Sequence, residues 1–215
     1  MTKRLFDLCA AILGLLVSLP VLLVVAIAVK LDSPRPVLFT PVRVGRGGRP
    51  FRVFKFRSMF ADSDRGSAIT SGVDHRVARV GRIIPTPRID ELPQLLNVLM
   101  GNMSLVGPKP AAQSIVERYT AEPREVLDVG AGVTEPTQPD SPNEAARLPA
   151  DAEPTDYYVR PLLSDKLAAD LDYIKTRTFG GDLRILLRTP VCLGRFLPAR
   201  TRFSRLPKIT RRRSA

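Results

Sequence analysis

Cysteine and histidine are nearly missing from this chain of 215 residues: there are two cysteines, Cys9 inside an apolar run and Cys192 far from it, and one histidine, His75. Cysteines this far apart make no disulfide framework and have no metal-ligand spacing, which fits a reducing, cytoplasm-facing setting. A single histidine removes any catalytic arrangement that needs a second one and any histidine-rich metal cluster, and in a polar loop it reads as a surface residue. The twenty prolines are dispersed, and no repeat of the solenoid kind recurs. Acid is scarce beside base, with 33 Lys and Arg against 21 Asp and Glu and a net charge of +12. That excess points to an anionic partner, whether phosphate, nucleic acid or anionic lipid, on a chain long enough for one compact domain plus appendages.

What is plentiful is apolar sequence at the N-terminus. No charge falls between Leu8 and Val29, while Lys3, Arg4 and Lys30 flank the run. Its length suffices for a membrane helix. It is too long for a secretory signal and has no small-residue cleavage site. Pro20 lies near the middle, with Ser18 two residues earlier. Proline withdraws one helix hydrogen bond, and a nearby hydroxyl can satisfy the freed carbonyl. Basic residues at both ends favour keeping both ends in the cytoplasm, and a sharp kink leaves each arm too short to span. These features favour a re-entrant helix-break-helix that dips into one leaflet and breaks at Ser18 and Pro20; a single kinked span is the alternative.

Residues 38 to 59 read as a small basic β-hairpin, with Val42 and Val44 leading into Gly45-Arg46-Gly47-Gly48-Arg49-Pro50 and a Phe-rich return. Pro50 stands where a dinucleotide fingerprint needs its third glycine, and no βαβ unit follows, so turn chemistry explains the cluster. Lys55 and Arg57 alternate with Phe54 and Phe56, so one face can pack while the other offers two cations to a phosphate. The same alternation suits single-stranded nucleic acid only weakly. Residues 62 to 74 read as a loop. Arg76, Arg79 and Arg82 beside Val77, Val80 and Ile83 then predict a short amphipathic helix, ended by Pro85 and Pro87.

Residues 88 to 110 concentrate the chemistry. Asp90 and Glu91 open a short helix with Leu92, Leu95, Leu96 and Leu99 on one face, closed by Gly101 and Asn102. A Ser-Leu-Val strand then runs into a Gly107-Pro108-Lys109-Pro110 corner. Asp90 is a candidate N-cap, but Pro93 has no N–H to give it, so the carboxylate keeps bonding capacity that suits a nucleophile or metal ligand near the positive helix end. An ordinary acidic first turn is the alternative. Further on, residues 113 to 129 predict a helix interrupted at Pro123, and 130 to 156 a loop or lid. Leu163, Leu167, Leu171 and Ile174 mark an amphipathic helix ending near Arg177. Gly180-Gly181-Asp182 caps a last one carrying Leu183, Leu186, Leu187 and Val191. An acid-free basic tail is attracted to inner-leaflet anionic lipid at about 1 kcal/mol per near-surface cation. The segments are thus 1–32, membrane-embedded; 33–197, a cytoplasmic catalytic domain; and 198–215, the tail.

The ordered motifs Lys-Leu-Asp-Ser-Pro (30 to 34), Phe-Lys-Phe-Arg-Ser-Met (54 to 59), Asp-Glu-Leu-Pro-Gln-Leu (90 to 95), Asn-Val-Leu (97 to 99) and Met-Ser-Leu-Val-Gly-Pro-Lys-Pro (103 to 110) resemble those of the bacterial sugar transferases. A late Leu-Asp-Tyr-Ile and Asp-Leu-Arg-Ile-Leu extend the likeness to these monotopic phosphoglycosyl transferases up to about residue 197. The resemblance implies an enzyme at the bacterial inner membrane, facing the cytoplasm, that moves a sugar-1-phosphate from a nucleotide diphosphate sugar, usually UDP-linked, to polyprenyl phosphate. The product begins a surface glycan. It further implies Asp90 as the nucleophile that forms a covalent phosphosugar intermediate, and Mg²⁺ held at Asp90 and Glu91. Lys55, Arg57 and Lys109 are the cations that would bind substrate phosphate, since a carboxylate can attack an anionic donor only when the phosphoryl charge is neutralised. The fold expected is α/β and mostly helical, with the membrane helix, the small hairpin and amphipathic helices on the bilayer surface.

Three positions depart from the family pattern. Pro85 stands where an arginine usually precedes the nucleophile by five residues. Lys109 replaces the arginine of Gly-Pro-Arg-Pro, a point charge for a bidentate fork. Gly130 opens Gly-Ala-Gly-Val-Thr where the family has Arg-Pro-Gly-Ile-Thr. With those guanidinium groups gone, the alternative is a degenerate member that serves as a non-catalytic membrane-surface scaffold in glycan assembly. A binding module, however, gains nothing from paired acids in a basic cleft. Nucleic acid is disfavoured, because no recognised motif accompanies the charge. The motifs specify neither the sugar nor an oligomeric state.

Overall fold

The structure, a computed structural model, describes residues 2–32, 35–57, 89–119, 122–136 and 163–195. The expected loop at 62 to 74, the basic helix from Arg76, His75, Pro85 and the tail at 198–215 lie outside the described residues. The described part is mostly helical, with three two-stranded sheets.

The apolar run forms α1 (Thr2–Asp32), helical throughout with Pro20 inside it, so the expected break into two helices is absent from the backbone pattern. Ser18 Oγ donates to the Gly14 carbonyl at 2.6 Å and approaches the Leu15 carbonyl at 3.4 Å. It does not reach the Leu16 carbonyl, the one Pro20 deprives of a donor; bonding back to the preceding turn bends a helix rather than repairing it. The helix is long and apolar enough to cross a membrane, and Leu13, Leu16, Val17 and Val24 are well exposed. Its other face is buried at Asp7, Ala11, Val25 and Val29.

Over residues 38 to 57 the expected hairpin is present but interrupted. β1 (Leu38–Phe39) pairs antiparallel with β4 (Lys55–Phe56), and β2 (Val42–Val44) with β3 (Pro50–Arg52). Between them Pro41 has no N–H to give the ladder, and only the Val53 N–H to Pro41 carbonyl bond, 3.0 Å, bridges the gap. The tight turn uses Gly47 and Gly48, both at positive φ.

A 3₁₀ turn (Ile89–Glu91) precedes α2 (Gln94–Leu99), whose N-cap is Pro93. Asp90 is therefore not the N-cap: the proline, lacking an N–H and fixed in φ, lets the chain tighten into 3₁₀ bonds before the α-helix starts. The buried residues of α2 are Gln94, Asn97 and Val98, while Leu96 is exposed. The leucine stripe instead looks toward α1, with Gly14 leaving room for Leu95, and the polar face turns inward. The helix ends in a Schellman motif, Asn102 N–H to Asn97 carbonyl and Gly101 N–H to Val98 carbonyl, with Gly101 at φ 86°.

β5 (Met103–Val106) runs parallel to β6 (Ala131–Thr134), so the stretch from 130 starts as a strand rather than a loop. Its small residues hid it, yet they are what the pairing needs. A Cβ at Gly107 would stand 2.5 Å from the Gly130 carbonyl oxygen, and one at Gly132 would overlap the Gly107 backbone. In place of the helix expected over 113 to 129 there is the short α3 (Gln113–Val116), then a 3₁₀ stretch (Glu122–Asp128) that begins beside Pro123. α4 (Leu163–Thr176) and α5 (Phe179–Arg195) follow close to the expected bounds.

Three apolar clusters result. Ala11 of α1 joins Val98, Met103, Leu105, Val106 and Ala131. Ile115, Val126, Leu163, Leu167 and Leu171 form the second. In the third, Val25 and Val29 of α1 pack on Phe56, with Ile89 beside them. The start of α1 is also tied by polar bonds: buried Asp7 accepts from Ser104 Oγ at 2.7 Å, and Lys3 pairs with Asp182 of α5. Tyr173 donates to Asp182 Oδ1 at 2.6 Å. Burial, and then that bond, pushes the Tyr173 hydroxyl well above the ordinary tyrosine range.

Candidate active site

Glu91 is the centre of the site. It leaves the 3₁₀ turn only 8% exposed, a position no carboxylate holds without partners. Lys55 Nζ from β4 meets its Oε1 at 2.9 Å, and Lys109 Nζ from the corner after β5 stands 3.9 Å from the same oxygen. Three chain segments far apart in sequence thus converge on one carboxylate. Asp90 is its chain neighbour, half-buried on the same turn.

Of the three expected phosphate cations, Lys55 and Lys109 are brought together and Arg57 is not. The Arg57 guanidinium donates from Nε to the Pro36 carbonyl at 3.2 Å and lies over the Phe39 ring, 5.6 Å from its centroid. Arg57 does share the face of Lys55, since the ring beneath its guanidinium belongs to Phe39, the cross-strand partner of Lys55, but its side chain is engaged by the Pro36 carbonyl and that ring. Lys109 owes its place to the Gly107–Gly132 contact, which seats the corner on β6: the Gly132 N–H reaches the Pro108 carbonyl at 2.8 Å and the Gly107 N–H the Thr134 carbonyl at 3.1 Å.

Asp90 and Glu91 are the residues able to hold a metal. Among the described residues no group of three or more His, Cys, Asp or Glu forms a protein cage. A pair of carboxylates beside lysines fits Mg²⁺, which is ordinarily held by one or two carboxylates together with substrate phosphate oxygens.

Asn97 carries no chemistry visible in the spacing of charges, yet it is fully buried between α2 and the hairpin. Its available signals were its place at the head of the Asn-Val-Leu motif and an amide in a leucine-rich helix. At Gly130 a Cβ would meet only Ser104 Cβ, at 3.9 Å, so a side chain there has room.

The sequence pattern described as bacterial sugar transferase matches residues 1–195. The UDP-glucose:undecaprenyl-phosphate glucose-1-phosphate transferase of Caulobacter vibrioides is 41% identical over 191 residues, covering 87% of this chain and 67% of that protein. The exopolysaccharide production protein PSS of Rhizobium leguminosarum is 37% identical over 198 residues, 88% of this chain and 93% of that one. A UDP-N-acetylgalactosamine-undecaprenyl-phosphate N-acetylgalactosaminephosphotransferase of Aeromonas hydrophila is 46% identical over 121 residues, and there the match spans only 29% of the longer protein. With the motifs in order, the acid pair among lysines and a match over most of its length, the chain belongs to the bacterial sugar transferase family.

Proposed function

We propose that this protein transfers a sugar-1-phosphate from a UDP-sugar to polyprenyl phosphate at the inner membrane, through a covalent intermediate on Asp90, and so starts a surface glycan. The observation that carries the reading is the buried Glu91 carboxylate shared by Lys55 and Lys109 beside Asp90. The names of the relatives, transferases of glucose or N-acetylgalactosamine phosphate to undecaprenyl phosphate, support the substrate classes.

An Asp90 carboxylate oxygen attacks the phosphorus that bears the sugar. The bond from that phosphorus to the bridging oxygen breaks, and UMP leaves with the electron pair. An oxygen of the polyprenyl phosphate then attacks the same phosphorus, the acyl phosphate bond breaks, and the Asp90 carboxylate is restored with a lipid diphosphosugar as product. No proton need be moved by the protein in either step. Lys55 and Lys109 hold the phosphoryl oxygens in line, and Glu91 holds the two lysines before the donor arrives. Mg²⁺ held at Asp90 and Glu91 would supply further neutralisation of the diphosphate.

The acceptor cannot leave the bilayer, which assigns α1 its role. The body of the protein buries α1 at Asp7 and Ala11 and again at Val25 and Val29, positions spread over about 33 Å of helix, as far as a hydrocarbon core of about 30 Å is thick. A polar body cannot accompany a perpendicular helix across a membrane, so contact near both ends of the unbroken α1 supports both ends lying on one side of the bilayer. Lys3, Arg4 and Lys30 at the two ends favour the cytoplasm as that side. Inner-leaflet anionic lipid suits the excess positive charge.

The deciding experiment incubates detergent-solubilised protein and Mg²⁺ with UDP-glucose or UDP-N-acetylgalactosamine and no acceptor, and reads the intact mass. A phosphosugar adduct on the wild type that is missing from Asp90→Asn is the expected result. A folded wild type that gains no mass with any of a wider set of nucleotide sugars would sink the proposal in favour of the scaffold reading.

A further inference from the structure

Beneath the hairpin, Asn97 is 0% exposed. Burying a primary amide is costly unless both its ends are bonded, and both are: Nδ2 donates to the Arg52 carbonyl at 2.7 Å, and Oδ1 accepts the Phe54 N–H at 2.9 Å. Those two backbone groups flank Val53, and in an extended chain they point to the same edge, where a neighbouring strand would normally answer them. β3 ends at Arg52 and β4 begins at Lys55. Across this gap the Asn97 side chain supplies the donor and acceptor of the missing strand.

The residue after Phe54 is Lys55, whose ammonium rests on Glu91. Glu91 and Asn97 lie on the same short stretch, six residues apart. A closed ring follows: Glu91 to Lys55 through the ion pair, Lys55 to residue 54 through the chain, residue 54 to Asn97 through the amide, and Asn97 back to Glu91 through α2. We infer that Asn97 is a positioning residue for phosphoryl transfer, setting where the Lys55 ammonium stands relative to Asp90, Glu91 and the incoming phosphate. The inference rests on the reading of Lys55 as a phosphate-binding cation. Asparagine suits the place because aspartate lacks the donor for Arg52, leucine lacks both groups, and glutamine is one methylene too long.

The test is a double-mutant cycle on the full-length, solubilised protein, with UDP-glucose or UDP-N-acetylgalactosamine as donor, polyprenyl phosphate as acceptor and UMP release as readout. Lys55→Met, Asn97→Ala and the double variant are compared in kcat/KM, each with its melting temperature. Each single change is expected to cost about a hundredfold, the effect of misplacing a reacting group by about 1 Å. The double variant is expected to lie within about twofold of Lys55→Met alone, the ordinary scatter of such cycles. Losses that multiply would overturn the inference, because Asn97 would then act independently of Lys55. Should Asn97→Ala not fold, the isosteric Asn97→Asp carries the same cycle, and failure of both to fold overturns it too, making Asn97 a residue of the fold alone. Wild-type activity in Lys55→Met would sink the assignment of Lys55 itself, a result legible without any Asn97 variant.

Discussion

Gly107→Ala replaces one hydrogen by a methyl group where two backbones touch. The new Cβ would stand 2.5 Å from the Gly130 carbonyl oxygen and 3.1 Å from the Gly132 nitrogen, whereas ordinary contact begins at 3.4 Å. Neither neighbour is a side chain, so no rotamer relieves the overlap. The corner must lift from β6, and the Gly132-to-Pro108 and Gly107-to-Thr134 bonds go with it. Two hydrogen bonds at about 1 kcal/mol each and overpacking of about 1–3 kcal/mol give a loss of about 3–5 kcal/mol, a large part of a typical stability of about 5–15 kcal/mol. For a chain of this size that lowers the melting temperature by about 6 to 20 °C. Lys109 leaves Glu91 in the same movement, so activity falls in the molecules still folded. Differential scanning fluorimetry and UMP release measure both effects, with Gly130→Ala, whose Cβ meets only Ser104 Cβ, as the control that melts near wild type. A Gly107→Ala protein melting within 2 °C of wild type would show that the corner is not seated on β6 as described.

Lys109→Met is expected to lower kcat/KM by about 10- to 150-fold, the worth of a charge-assisted contact of about 1.5–3 kcal/mol. Arg57→Met, whose guanidinium faces Pro36 and Phe39, should cost far less; steady-state kinetics with the same donor rank the two. Tyr173→Phe should flatten the alkaline limb of stability. The folded-state value of Tyr173 lies above its unfolded one, so its contribution is fully present below about pH 10 and is lost as pH rises beyond it. Melting temperatures from pH 8 to 12 should fall more steeply in wild type than in the variant, and parallel curves would refute this. Single cysteines at Thr2 and Asp32, in a Cys9→Ser and Cys192→Ser background, should both react with an impermeant maleimide in inside-out vesicles and neither in right-side-out ones. Opposite labelling at the two ends would mean a span.

Much of this was legible wherever one physical signal dominated. The apolar run announced α1, the leucine period announced α4 within a residue or two, and the glycine at 101 announced the end of α2. Long-range pairing was not legible. Nothing in Gly-Ala-Gly-Val-Thr marks a strand, because its small residues are selected by a backbone that has to come close. The leucine stripe of α2 was legible as apolar, and Leu95 and Leu99 do pack on the cluster around Ala11; that the opposite face of the helix buries Gln94 and Asn97 was not legible, because their partners are backbone groups and segments far away in sequence. Asp90, Glu91, Lys55 and Lys109 could be picked out because charge in motif order is visible in one dimension. Alternation rightly gave Arg57 the face of Lys55, but it could not show that the Pro36 carbonyl and the Phe39 ring engage its guanidinium.

The packing of α1 alters what an anchor is here. Ala11 is fully buried among Val98, Met103 and Ala131, and Val29 at 2% exposure among Phe56 and Ile89. Trimming residues 2–32 to obtain a soluble enzyme would therefore not release a finished domain from its tether. It would strip a wall from two clusters, one of them packed against Ile89, and leave the turn that carries Asp90 and Glu91 without its floor.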